Sequence, residues 1–142
     1  MGLFSLTQEI AIDLGTANTI IMVDDQVVVD EPSVVAISAA DNKMVAVGRK
    51  AQQMIGKGGN IIRTVRPLRD GVIADFYACE MMIRGMIKMM PHQSRMFTPN
   101  IRMVVCIPSG STEVEIRAVR DSSEHAGGRD VYMIYEPMAA AI

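Results

Sequence analysis

The segment Asp13-Leu14-Gly15-Thr16-Ala17-Asn18-Thr19 joins two apolar runs, Glu9–Asp13 and Ile20–Val23. It gathers a carboxylate, a glycine, hydroxyls and an amide within one tight turn. Gly15 can take positive φ and leaves room for a phosphate oxygen. Thr16 offers a hydroxyl and Asn18 an amide, and a turn this tight can aim several backbone N–H groups at an anion. Asp13 cannot bind phosphate directly without repulsion. It is better suited to Mg²⁺, directly or through water, because that ion takes a carboxylate and keeps most of its water shell. A polar hairpin with an incidental aspartate is the alternative reading of these residues.

Other phosphate motifs are excluded. Gly56-Lys57 is followed by Gly58, and position 51 is not glycine, so no P-loop is present. GxGxxG is absent, and a strand rather than a helix follows the turn, which removes a helix-dipole dinucleotide site. Gly56 to Gly59 reads as a loop. Glu136 is the second candidate, at the end of a strand predicted to share the first strand's sheet. A carboxylate there could orient or activate the water that attacks a γ-phosphate. It could equally be a helix-entry residue favoured by the macrodipole. His92 and His125 read as surface residues with no carboxylate or cysteine pattern around them. Cys79 and Cys106 each lie in an apolar stretch, and buried reduced thiols of a cytoplasmic protein are expected.

The elements that must position these residues follow from the pattern. Glu9–Asp13, Ile20–Val23, Val27–Val29 and Ser33–Ile37 read as strands, and their short separations imply antiparallel neighbours. Met44–Val47 is a short strand, Arg49–Ile55 a short helix, and Ile61–Val65 a strand. Asp75 is the N-cap of a helix from Phe76 to Met90, with Phe76, Met81, Ile83 and Ile87 on its apolar face. Ile101–Ile107 is a strand of the buried type. Thr112 with Glu115 has capping-box spacing, with Val114, Ala118 and Val119 on one face and Gly127-Gly128 as the stop. Val131–Tyr135 is the next strand, in a right-handed parallel crossover. The fold class is therefore α/β, a mixed sheet with helices packed on it. A helix should begin at Met138 but the chain ends at Ile142, so a truncated protein is expected.

Composition narrows the classes. The 142 residues are 49% hydrophobic and 21% charged with a net charge of -2, which describes a globular chain and excludes a nucleic-acid partner. Aromatics are only 4% and methionines number 13, so the core must be aliphatic and thioether-rich. No apolar run reaches the length of a membrane span, and the N-terminus matches neither a secretory signal nor a myristoylation site.

Four motifs occur together in one order: DLGTANT at 13–19, EPSVVAI at 31–37, RPLRDGVIADF at 66–76 and YEPMAAAI at 135–142. In that order and spacing the chain resembles the MreB family of bacterial actin-like proteins, from about Glu9 to its end. DLGT alone would also suit a chaperone-type or sugar-kinase-type ATPase of the same fold. The resemblance implies an actin-like ATPase fold, a ribonuclease H-like mixed sheet with flanking helices. It implies core segments at 1–36 and 77–142 and a small inserted subdomain at 37–76. It also implies ATP binding, slow hydrolysis and polymerisation into filaments that guide cell-wall synthesis and rod shape. By position, Gly15, Thr16, Ala17 and Asn18 are implied to surround the phosphates, Asp13 to associate with Mg²⁺, and Glu136 to position the hydrolytic water. The family's second phosphate loop and adenosine motif would lie beyond Ile142. The implied partners are further copies of the chain, cell-wall elongation proteins and the inner face of the cytoplasmic membrane. For the membrane contact the candidates are Leu3, Phe4 and Leu6 near the start and Met96-Phe97 between Pro91 and Pro99. The short tail lacks Lys or Arg and falls short of an amphipathic anchor, but many copies along a filament would add up.

Overall fold

The computed structural model describes residues 7–91 and 100–135. The chain runs β1 (Thr7–Leu14), β2 (Asn18–Val23), β3 (Gln26–Pro32), β4 (Val35–Ser38), β5 (Met44–Val47), α1 (Arg49–Gln52) and β6 (Ile62–Val65). It continues with β7 (Leu68–Arg69), β8 (Val72–Ile73), α2 (Phe76–Lys88), β9 (Asn100–Ile107), α3 (Glu113–His125) and β10 (Gly128–Tyr135). Five strands form the main sheet in the order β10-β9-β1-β2-β3. β1 pairs with β2 antiparallel and with β9 parallel, and β9 pairs with β10 parallel. The C-terminal ends of β1, β9 and β10 therefore share one edge of the sheet.

Side-chain alternation decides which face of this sheet is covered. Ile10, Ile12 and Leu14 of β1 and Ile101, Met103, Val105 and Ile107 of β9 are buried, and the register aligns Ile10 with Met103 and Ile12 with Val105. α2 and α3 pack on that face, contributing Met82, Ile83, Met86 and Val119 to the same core. β9 was expected as a fully buried strand, but its pattern alternates because helices cover one face only. Asp13 and Ala11 point from the other face.

The helix caps follow their local signals. Asp75 accepts a hydrogen bond from the Ala78 amide at 2.9 Å. Thr112 and Glu115 bond reciprocally to each other's amides, satisfying two donors that a helix start would otherwise orphan. The expected faces hold except at their first turns. In α2, Phe76 is exposed and the buried stripe is Ala78, Cys79, Met82, Ile83 and Met86. In α3, Val114 is 72% exposed while Val119, Ser122 and Ser123 turn inward. Ile83 and Val119 are buried as expected and Met81 and Ile87 pack partly buried against the core, so only Phe76 and Val114, at the helix starts, depart from the expected faces.

β4 is a second correction. Two residues separate it from β3, yet it leaves the main sheet and pairs antiparallel with β5 and β6. Val34, Ala36 and Ala51 form a small core beneath this second sheet. Gly85 lets α2 approach it: a Cβ there would lie 2.9 Å from Met44 Cε and 3.0 Å from Val47 Cγ1.

Cys79 is buried as expected, whereas Cys106 is only half-buried. Burial, reinforced by the Asp75 carboxylate, pushes the Cys79 thiol from its ordinary 9.0 up to about 12. The folded chain thus holds this proton where the unfolded chain releases it, so the thiol lowers stability as pH rises from 9.0 to about 12. At pH 8 in the native state, maleimide is expected to label Cys106 and spare Cys79. Mass spectrometry showing equal labelling of both would refute the burial of Cys79.

His125 has a carboxylate neighbour that sequence reading did not supply. Its Nδ1 lies 3.2 Å from Glu80 Oε2, and Arg84 donates to the His125 carbonyl at 2.7 Å. A cation at the C-terminal end of α3 is favoured by the helix dipole, and this exposed cluster ties α2 to α3. His92 lies outside the described residues. Among the described residues no helix is long and apolar enough to cross a membrane.

Candidate functional site

β1 delivers Asp13 to the sheet edge, where it stands opposite Ile20 of β2 and Cys106 of β9. Its side chain is exposed, and among the described residues the carboxylate has no hydrogen bond or ion pair. The chain then turns through Gly15–Ala17 into β2. Gly15 does not adopt positive φ, contrary to expectation. Glycine is required there by a close approach instead, since a Cβ would lie 2.3 Å from the Asn18 carbonyl oxygen.

The turn is held from behind by the end of β3. Ser33, fully buried, donates from Oγ to the Gly15 carbonyl at 2.7 Å and from its amide to the Ala17 carbonyl at 2.8 Å. Thr19 Oγ1 lies 2.8 Å from Ser33 Oγ. Asn18 is partly committed, donating from Nδ2 to Asp30 Oδ1 at 3.1 Å. Thr16, Ala17 and Asn18 are exposed. Among the described residues the Thr16 and Ala17 amides have no acceptor.

A second support comes from a hairpin that was not anticipated. β7 and β8 are joined by Asp70-Gly71, both at positive φ (52° and 76°), as a two-residue hairpin turn demands. The Asp-Gly pair was the available signal. The Gly71 amide donates to Thr16 Oγ1 at 2.8 Å. The hydroxyl accepts this bond and keeps its own proton to donate to a ligand. Ser33 was likewise read only as the start of a strand, because its partners lie 14 to 18 residues away.

The charge pattern bears on the ligand. The first Lys or Arg in the chain is Lys43. An anion at the turn would meet amides and a hydroxyl, with no Lys or Arg in the β1–β2 hairpin itself. Asp13 has the chemistry to hold a metal there. A single exposed, unpaired carboxylate suits Mg²⁺, which keeps several waters and takes its remaining ligands from substrate phosphates. No cluster of three or more metal-ligating side chains occurs among the described residues, so an all-protein cage is not what this site offers. A small cavity of about 10 Å³, room for about one water, lies alongside between Leu14, Leu68, Ile73, Pro108 and Val119.

β10 ends at Tyr135 on the same sheet edge. Glu136 itself lies outside the described residues, as do Leu3, Phe4, Leu6, Met96 and Phe97.

The mixed sheet, the strand-to-strand phosphate-type turn and the paired helices define an actin-like protein. MreB5 of Spiroplasma citri bound to ADP superposes with a TM-score of 0.78 at 35% identity, covering 95% of this chain and 40% of that one. The same protein bound to AMPPNP gives 0.76 at 34% identity, covering 96% and 42%. The profile of the MreB/Mbl protein family matches residues 7–142, and the chain belongs to that family. The cell shape-determining protein MreB of Pasteurella multocida is 51% identical over 146 residues, covering 99% of this chain and 41% of that protein. The chain therefore spans about 41% of the length of this relative.

Proposed function

We propose that this chain forms part of an ATP-binding, filament-forming protein that guides cell-wall synthesis and rod shape from the inner face of the cytoplasmic membrane. One observation carries the nucleotide reading: a turn pinned from two sides exposes unpaired amides and a hydroxyl beside a free carboxylate. Nucleotide-bound MreB5 supports it. In this reading the Thr16 and Ala17 amides and the Thr16 hydroxyl bind phosphate oxygens, while Asp13 holds Mg²⁺, through water or directly. The metal would supply charge neutralisation for the polyphosphate. Glu136, one residue past β10, orients the attacking water. The segment 37–76 is the small inserted subdomain.

Self-association is the proposed output, with ATP favouring the assembled state. Leu3, Phe4, Leu6, Met96 and Phe97 are the proposed membrane contacts, each weak alone and additive along a filament. Cell-wall elongation proteins are the proposed further partners. The test is pelleting and negative-stain microscopy of the full chain with Mg-ATP, with and without liposomes. Filaments that bind liposomes are expected, with Glu136→Ala keeping nucleotide binding but releasing phosphate more slowly. Discrete monomers at micromolar concentration, with lipid and Mg-ATP present, would count against the filament reading. Parent-like phosphate release by Glu136→Ala would remove its assigned role.

A further inference from the structure

A serine hydroxyl at 0% exposure needs a reason to be inside, because burying it without partners is costly. Ser33 has its partners in one place. A serine carries a single hydroxyl proton, and at Ser33 it goes to the Gly15 carbonyl at 2.7 Å. The 2.8 Å contact with Thr19 must therefore run from the Thr19 hydroxyl to Ser33 Oγ. Thr19 is itself buried, at 1% exposure. The two hydroxyls form a relay that ends on the carbonyl just before the exposed part of the turn.

Peptide geometry gives that last bond a consequence. In a trans peptide the C=O and the following N–H point in opposite directions within one plane, and no peptide bond described here is cis. Drawing the Gly15 carbonyl inward therefore aims the Thr16 N–H outward, to the side where no acceptor is found among the described residues. The Ser33 amide fixes the Ala17 carbonyl in the same manner, but that bond belongs to the backbone and survives any side-chain change.

We infer that Ser33 is a positioning residue for the phosphate turn: its hydroxyl sets the direction of the Thr16 N–H without touching the nucleotide. The inference rests on the ATP reading above and adds to it a residue remote from the ligand. A purely structural role makes a different forecast, in which stability and affinity fall together. Thr19→Val separates the two. It deletes one buried hydrogen bond of the same relay but leaves Ser33 bonded to the Gly15 carbonyl, whereas Ser33→Ala releases that carbonyl.

The experiment is titration of Mg-ATP onto the full chain, read by a fluorescent analogue and paired with thermal melting of each variant. Ser33→Ala is expected to weaken Mg-ATP binding about tenfold, the loss of one hydrogen bond's alignment. Thr19→Val is expected to stay within about twofold of the parent while melting earlier, though by less than Ser33→Ala, which loses both bonds of the relay where Thr19→Val loses one. Should Ser33→Ala not fold, Ser33→Cys keeps the volume but offers only a weak donor, and it must show the same split. Unchanged affinity in the Ser33 variant overturns the inference. So do affinity losses in both variants that scale with their drops in melting temperature. A parent that binds no Mg-ATP removes the nucleotide reading itself, whereas a binding parent with an indifferent Ser33 variant removes only this inference.

Discussion

Asp13→Ala is expected to weaken nucleotide binding by more than tenfold in Mg²⁺ and to leave it unchanged or tighter in EDTA. The sign change follows from charge. A divalent ion about 4 Å from a carboxylate gains about 2 kcal/mol even at the dielectric of water, and more where water is excluded. A loss of that size exceeds a factor of ten in affinity. Without metal, the same carboxylate faces the phosphates with like charge, and its removal relieves repulsion. The β1–β2 hairpin that carries Asp13 has no Lys or Arg of its own, the first in the chain being Lys43. Asp13 is exposed and has no partner among the described residues, so its replacement should change stability by no more than about 0.5 kcal/mol. Titration of a fluorescent ATP analogue in both buffers reads the effect. Equal losses with and without metal would show that Asp13 serves the turn and not an ion.

What the sequence made legible was local. Asp75 and the Thr112–Glu115 pair announce helix starts because a cap and its target amide are three residues apart. The Asp13–Thr19 turn is readable for the same reason, as are the strands on either side of it. Sheet membership is not local. The spacing of β3 and β4 resembles that of a hairpin, yet Val35 pairs with Val47 and Val65 instead. Pro32, which lacks an N–H, ends β3. The Val34 amide then turns back to the Pro32 carbonyl, and the Gly48 amide meets Val34 from the second sheet. Helix faces were misread only at their first residues, Phe76 and Val114. Val114 satisfies the helical period as well as Val119 does, yet it is exposed while Val119 is buried, and only packing against α2 and β10 decides between them.

The site shows the same division. The turn's chemistry was visible in its residue types, but its rigidity was not. Ser33 reaches Gly15 across 18 residues and Gly71 reaches Thr16 across 55, and neither contact leaves a periodic trace. EPSVVAI and RPLRDGVIADF drew attention as motifs before any role for Ser33 or Gly71 was apparent. Their physical content is now specific. One holds the turn's carbonyls, and the other fixes the orientation of its hydroxyl. Glu31 adds a third tie, accepting from the Arg49 amide at 2.7 Å and so connecting the turn's support to the first residue of α1.

Because the turn is tied at so many points, Gly15→Ala should be far more damaging than a single methyl suggests. The added Cβ would lie 2.3 Å from the Asn18 carbonyl oxygen, with the Asn18 carbonyl carbon at 3.5 Å. Backbone atoms cannot swing aside as a flexible side chain would. Relief therefore requires the turn to open, and opening strains the Ser33 bonds to the Gly15 and Ala17 carbonyls and the pairing of Leu14 with Thr19. Overpacking of this kind costs about 1–3 kcal/mol in stability. The same displacement moves the Thr16 and Ala17 amides, so Mg-ATP affinity should fall by more than about tenfold, a loss of over 1.4 kcal/mol. Gly110→Ala is the matched control, since its Cβ would meet nothing within 4 Å and its φ is not positive. Thermal melting and ATP titration of both variants read the contrast. A Gly15→Ala protein that melts and binds like Gly110→Ala would mean that the turn has slack, and that its amides are not held in place by the bonds described for Ser33.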